Sequence, residues 1–370
     1  MWFVFRSILF LSPFCQRVNL FCLSNAYKIF KGLFLENFSC FKRCLSYISD
    51  MMYEKFKDRM KPFEAVSVVG VSVSGGADSM ALCDLTRRWC EEFAVHMRVF
   101  TFDHNLRTES AEEAQMVKRW CAGFEIEHAT HVWKTPTKGN MLEAAREARL
   151  EALDIWREEC DVVLVGHTKT DRAETVVMRL FRGSGVDGLS GMQPQRVVST
   201  FRGRYTIVRP LIDASRHELR AHCQENGVPF CDDPSNDNDA YLRVKVRKLM
   251  RELEMDEDSL VATARRMRRA GCVLDEQVSR FWSDCVHLKK GQNGFVKFAL
   301  VDFEKEMEET QMRLVRRAIK YVGKQEHPPR ENAVKGVVCF LLAENSATLG
   351  GCIFKVKKGH VCVAREHRRG

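Results

Sequence analysis

From Val66 onward, short β-branched runs alternate with segments of helical length, and this alternation constrains the fold more than any other feature. The run "VSVVGVSV" reads as a strand buried on both faces, as in a parallel sheet. A helix follows to about Phe93, then the strand "HMRVFTFD" and the helix "SAEEAQMVKRWCAGF", opened by Ser110 with acids in its first turn. "EHATHVW" precedes a long helix capped by Asn140, "NMLEAAREARLEALDIW", and "DVVLVGH" precedes "DRAETVVMRLF". Repeated βα units of this length predict an α/β fold, a doubly wound parallel sheet with helices on both faces. Ligands bind such sheets at the carboxyl ends of the strands. Three polar clusters fall there: Ser74–Ser79, Asp103-His104 and Gly166-His167.

The first cluster, "SGGADS", ends a strand and opens a helix. Gly75 and Gly76 permit a tight turn and close approach of a ligand to the backbone. Unpaired N–H groups and the helix dipole would then favour an anion beside Ala77, Asp78 and Ser79. No lysine follows the glycines, so this is not the P-loop pattern G-x-x-x-x-G-K-[ST]. A strand–helix turn without a ligand is the competing reading.

At 370 residues, two or three domains are expected, and the 45% hydrophobic fraction supports well-formed cores. The formal charge of +9 suits a polyanionic partner, although it also serves solubility. The 15 cysteines include no C-x-x-C, and Cys83, Cys160, Cys272 and Cys339 read as small buried apolar residues of a reducing compartment. Residues 1–50 are basic, rich in Phe, Leu, Ser and Cys, and have no acid before Glu36. A presequence or an upstream-start extension fits better than a signal peptide, which places the protein in the cytoplasm or an organelle matrix. No run reaches the length of a membrane span, and no membrane partner is expected. The expected organisation is a catalytic domain over 51–250, a basic helical linker over 251–290, and a small α+β region over 291–370 available for RNA contact.

On the helix after the fourth strand, Asp171, Glu174, Thr175, Arg179 and Arg182 share one face, opposite Val176, Val177, Leu180 and Phe181. A solvated charged surface is the simpler reading. Two carboxylates at the helix start could instead hold Mg²⁺ or grip an ammonium group.

The motifs "SGGADS", "FDHNLR", "NMLEAAREARL", "GHTKTDRAET", "RLFRGSGVDGLSGM", "RPL" and "DDPSNDNDAYLRVKVR" occur in the order and spacing of the tRNA(Ile)-lysidine synthetase family. The resemblance covers roughly Val66 to Met250 and is most specific from Gly166 to Met192. It implies a PP-loop fold, similar to the adenine nucleotide α-hydrolases, using ATP and Mg²⁺. It further implies that the wobble cytidine of the CAU-anticodon isoleucine tRNA is adenylated at carbon 2, with release of pyrophosphate. The ε-amine of free L-lysine then displaces AMP to give lysidine. In this reading Ser74, Gly75, Gly76, Ala77, Asp78, Ser79 and His104 bind the nucleotide. Asp78, Asp171 and Glu174 are catalytic, with Asp78 and Asp171 also on the metal. Arg146, Arg149, Arg182, Arg243 and Arg247 contact substrate, and Arg107 stands near His104. The state of assembly is left open, with a homodimer as one option.

The sequence departs from the family's "HH-x-DD" at Thr168 and Thr170, Arg172 replaces a glutamine, and Val244 replaces an asparagine. Against the family pattern one potential metal ligand is thereby absent, while Asp171 and Glu174 remain. A related PP-loop thiolase is the nearest rival, but thiolation needs a persulfide or iron–sulfur cysteine set. A catalytically silent RNA-binding relative is the other alternative.

Overall fold

The structure is a computed structural model that describes residues 51–105, 108–134, 141–200, 202–232, 242–289, 295–323 and 329–366. Residues 1–50 and Asn140, the expected cap of the third helix, lie outside the described residues. In chain order the elements are β1 (Val68–Ser72), α1 (Ala77–Phe93), β2 (His96–Asp103), α2 (Thr108–Gly123), β3 (Glu127–Val132) and α3 (Met141–Trp156). There follow β4 (Val162–Val165), α4 (Lys169–Phe181), β5 (Gln195–Thr200), β6 (Gly203–Val208) and α5 (Arg216–Glu225). The remainder comprises α6 (Leu242–Glu252), α7 (Glu257–Cys285), β7 (His287–Lys289), β8 (Phe295–Ala299), α8 (Glu308–Gly323), α9 (Glu331–Leu342), β9 (Ala347–Leu349), β10 (Cys352–Lys357) and β11 (His360–Arg365). None of the described helices is long and apolar enough to cross a membrane.

The chain divides into two compact units whose boundaries do not follow chain order. The first unit takes residues up to Thr168 and returns from Gln195 to Asp233; the second takes Lys169–Pro194 and everything from Pro234.

The first unit is built on a six-stranded sheet of order β3-β2-β1-β4-β6-β5. Pairs β1–β2, β2–β3, β1–β4 and β4–β6 are parallel, as the alternation predicts. The β5–β6 edge is an antiparallel hairpin that the four βα units do not announce. Successive strand residues point to opposite faces, and each face has its own core. Val69, Val71, Val99, Val162 and Leu164 pack with α1, α2, α5 and the helix over 51–60. Phe100, Phe102, Val163 and Ile207 pack with Ala152 and Leu153 of α3. Both faces are thus covered, which is why these strands read as continuous apolar runs. The chain winds outward through β2 and β3, then crosses back to β4 on the other side of β1. The turns after β1 and β4 therefore diverge, opening the crevice where such sheets hold ligands.

The second unit contains α4, α6 and the C-terminal elements. Ala173 and Val177 of α4 pack with Val246 and Met250 of α6. Asp256 caps the 29-residue helix α7, accepting from the N–H groups of Asp258 and Ser259. A five-stranded antiparallel sheet, β7-β8-β11-β10-β9, packs its Val296, Phe298, Phe354, Val361 and Val363 against α8 and α9. Arg313 of α8 is buried and gathers three carboxylates, Asp187 and Asp275 at 2.8 and 2.7 Å and Glu309 at 2.8 Å. A buried guanidinium is tolerated when each of its three nitrogens is paired with a carboxylate in this way. Asp187 lies in the "GSGVDGL" stretch, so this motif is tied to the C-terminal helices.

Candidate functional site

The turn after β1 is closed by its own two serines. The Ser79 hydroxyl donates to the Gly76 carbonyl at 2.9 Å and accepts from the Ser74 N–H at 3.1 Å, and the two hydroxyls are 3.2 Å apart. Gly75 sits at φ +89°, a conformation L side chains rarely adopt. Its carbonyl accepts from the Cys231 N–H at 3.0 Å, which pins the turn from outside. At the carboxyl end of β4, a Cβ built on Gly166 would stand 3.1 Å from the Ser79 Cα and 3.3 Å from the Ser79 nitrogen. Glycine at 166 is therefore what lets the two diverging turns meet. No side chain caps α1 at Gly76, so its dipole and first-turn N–H groups favour an anion at this mouth.

Helix α5 buttresses the same turn, and its contribution is not visible in local sequence. Ser215 and Glu218 form a reciprocal capping box that fixes the helix start. The helix is then fastened to α1 by His222, whose Nε2 is 2.9 Å from the Asp84 Oδ2 with both side chains buried. Cys223 adds a weak S–H donation to the Ala77 carbonyl at 3.4 Å. Burial alone would raise the Asp84 carboxyl, but hydrogen bonds from His222 and Arg87 outweigh it and hold it below the usual carboxylate range. So docked, α5 brings the Arg216 Nε to 3.4 Å from the Asp78 Oδ2.

His104 directly follows β2, its ring edge-on to Phe102 at 4.8 Å between centroids. It therefore stands at the carboxyl edge of the sheet, as predicted, while Arg107 is outside the described residues. Cys83, Cys90, Cys121 and Cys223 are buried, and burial pushes the Cys90 and Cys223 thiols up to about 12, far from a reactive thiolate. The reading of Cys272 and Cys339 as buried is corrected: both are exposed on helices of the second unit.

Helix α4 also departs from expectation. Asp171, Arg172, Glu174 and Thr175 are buried, with Glu174 at 0% exposure, whereas Leu180 and Phe181 are 56% and 66% exposed. The solvated charged face is thus overturned. A buried carboxylate needs a partner, and the Arg247 Nε donates to the Glu174 Oε1 at 2.8 Å. Arg179 closes the following turn by donating to the carbonyls of Gly188 at 2.6 Å and Gly191 at 3.3 Å. Arg182, just beyond α4, is exposed, as are Arg149 on α3 and Arg243 on α6. Arg146 belongs to α3, but its side chain is outside the described residues. Arg247 is thereby distinguished from Arg243: it anchors an acid, while Arg243 faces outward.

Among the described residues, no three His, Cys, Asp or Glu side chains are grouped as a metal site. Mg²⁺ does not require one, because it is bound through one or two carboxylates together with substrate phosphates and water. Asp78, beside backbone donors at the head of α1, fits that donor set.

A family model for the PP-loop domain matches residues 49–253. The tRNA(Ile)-lysidine synthase of Ruegeria pomeroyi is 35% identical over 304 residues, covering 80% of this chain and 71% of the relative. That of Hyphomonas neptunium is 32% identical over 305 residues, covering 80% and 81%. Among solved structures, the U34-tRNA thiolase NcsA of Methanococcus maripaludis superposes with a TM-score of 0.52 at 15% identity, over 61% of this chain and 80% of that one. At that identity the likeness concerns the fold alone.

Proposed function

Because this chain belongs to the tRNA(Ile)-lysidine synthase family of PP-loop proteins, we propose that it modifies an isoleucine tRNA by ATP-driven joining of free L-lysine to the wobble cytidine. It is an ATP-using tRNA-modifying ligase; the CAU anticodon, the lysine and the Mg²⁺ belong to the proposal. The observation that carries the reading is the seat at the head of α1. Gly75 in a left-handed conformation and Gly166 packed against Ser79 keep this turn free of side-chain bulk, so that its N–H groups can approach an anionic leaving group.

Each group has a task in that chemistry. Backbone N–H groups of the turn from Ser74 to Ser79 stabilise the charge that develops as pyrophosphate leaves. Mg²⁺, when bound, would neutralise phosphate charge, and Asp78 is proposed to hold it, with Asp171 proposed as a second. His104, at the β2 edge, is assigned to the nucleoside end of ATP. Glu174, paired with Arg247, is assigned to the lysine α-ammonium, leaving the ε-amine to attack carbon 2 and AMP to depart. Exposed Arg149, Arg182 and Arg243 are assigned to the RNA, together with Arg146. The cysteine content supports this reading over thiolation, since no C-x-x-C is present and the cysteines packed around α1 are buried.

The test is to incubate the full chain with a CAU-anticodon isoleucine tRNA transcript, ATP, Mg²⁺ and lysine, then digest the RNA for mass spectrometry. Lysidine at the wobble position with equimolar AMP and pyrophosphate is expected. Pyrophosphate release without lysine in the RNA, or no nucleotide turnover, would overturn the proposal.

A further inference from the structure

We infer that Arg216 is a positioning residue for the PP loop, holding the Asp78 carboxylate at the loop mouth so that it meets Mg·ATP already oriented. The inference rests on the ATP-dependent reading above and adds a residue that the motifs do not mark.

The geometry has three parts. Asp78 is the first acid of α1, directly before Ser79 in the tight Ser74–Ser79 network, and its carboxylate is partly exposed. Arg216 faces it with the Nε 3.4 Å from one oxygen, Oδ2. A guanidinium at that distance fixes the carboxylate rotamer through charge more than through a short hydrogen bond. Finally, the backbone carrying Arg216 is itself fixed, since it is the first residue of α5 and is preceded by the Ser215–Glu218 capping box. The same helix is bolted to α1 through the buried His222–Asp84 pair and Cys223.

The arrangement costs more than a surface ornament would require. A buried histidine–aspartate pair and a two-way cap order one short helix, and that order is transmitted to a single arginine beside the loop. Exposed ion pairs on flexible side chains contribute little by themselves. An ion pair whose two backbones are both locked acts instead as preorganisation, which lowers the cost of binding a charged ligand. Arg216 thus acts through Asp78, and its positive charge also offsets the carboxylate when triphosphate arrives.

A double-mutant cycle on Mg·ATP binding by the full chain, read by calorimetry, tests this. Arg216→Gln should weaken binding about tenfold when Asp78 is present and less than twofold in an Asp78→Asn background. Arg216→Lys, which restores the charge without the fixed fork, should recover part of the loss. Thermal unfolding of each variant, expected to match the parent, separates positioning from folding. An equal loss in both backgrounds would overturn the inference, because Arg216 would then act on the nucleotide directly. No loss in either background would also overturn it, leaving a surface contact. If the unmodified protein bound no Mg·ATP, the ATP-dependent reading would fail first and take this inference with it.

Discussion

At the turn after β1 the groups offered to a ligand are backbone N–H groups and hydroxyls held by neighbours a few residues away. On α4 they are carboxylates, and Glu174 is held by Arg247, 73 residues further along the chain. The two regions consequently answer to different physics. A backbone-built seat tolerates many side-chain changes but not the loss of its glycines, since φ +89° at Gly75 and the 3.1 Å approach at Gly166 leave no room for alternatives. A side-chain-built seat is sensitive at each charge, because a buried carboxylate without its cation is expensive whether or not a ligand is present.

The largest effect that would sharpen this contrast is on catalysis by Glu174→Gln. The amide keeps the shape and can still accept from Arg247, so thermal stability should change little. It lacks the charge an ammonium needs, so lysidine formation should fall by at least about 100-fold, the scale of a lost interaction of about 3 kcal/mol in the transition state. Following pyrophosphate release separately assigns the role. Release retained with lysine incorporation lost places Glu174 with the amino acid; loss of both steps places it with the nucleotide. Unchanged rates for both would return α4 to a purely structural helix.

The same contrast explains what could be read from the sequence. Strands β1, β2 and β4 and their helices were legible because burial on both faces leaves apolar runs such as Val68–Ser72 and Val162–Val165, whereas the edge strand β3 has no buried residue. The loop was legible because the hydrogen bonds between its two serines are local, whereas the Cys231 N–H that pins Gly75 comes from far along the chain. The helical wheel failed on α4, where it put Leu180 and Phe181 on the buried side and Glu174 on the wet one. Amphipathicity reports the average preference of a face, whereas Glu174 is buried by a partner outside any helical window. Arg216 and His222 were missed for the same reason, as His222 meets Asp84 across 138 residues. The β5 strand, "QRVVST", is an edge with three exposed residues at its start and carries little apolar signal.

A second, smaller effect separates the two arginines of α6. Arg247→Ala leaves the Glu174 carboxylate buried without its guanidinium and should cost about 3 kcal/mol in chemical denaturation. Arg243→Ala, at an exposed position, should stay within about 0.5 kcal/mol. It should instead lower the slope of log tRNA affinity against log salt by about one, the signature of one phosphate contact. If both variants gave the same stability and the same slope, Arg247 would be one more surface cation, and the side-chain-built site would lose its anchor.

The smallest expected effect concerns a long-range side-chain anchor on the loop's side, Asp84 with His222, and it appears only in acid. His222 and Arg87 hold the folded Asp84 carboxyl below its ordinary value against the opposing effect of burial. The unfolded chain therefore binds a proton at higher pH than the folded one, and in that interval stability rises with pH. The contribution is complete above the unfolded value of roughly 3.9 and is lost as the pH falls through the lower folded value. Urea denaturation of the full chain between about pH 2 and 6 should show unfolding free energy declining on that limb. Asp84→Asn, which cannot take up this proton, should flatten the decline while leaving a destabilised but folded protein at neutral pH. Because α5 hangs on this pair, Mg·ATP affinity should fall more steeply over the same interval in the unmodified chain than in the variant, the protonation of ATP and of Asp78 being common to both. Parallel acid limbs for the two proteins would show that Asp84 is not ionised differently in the folded state, and that α5 is held by packing of Leu219 and Cys223 alone.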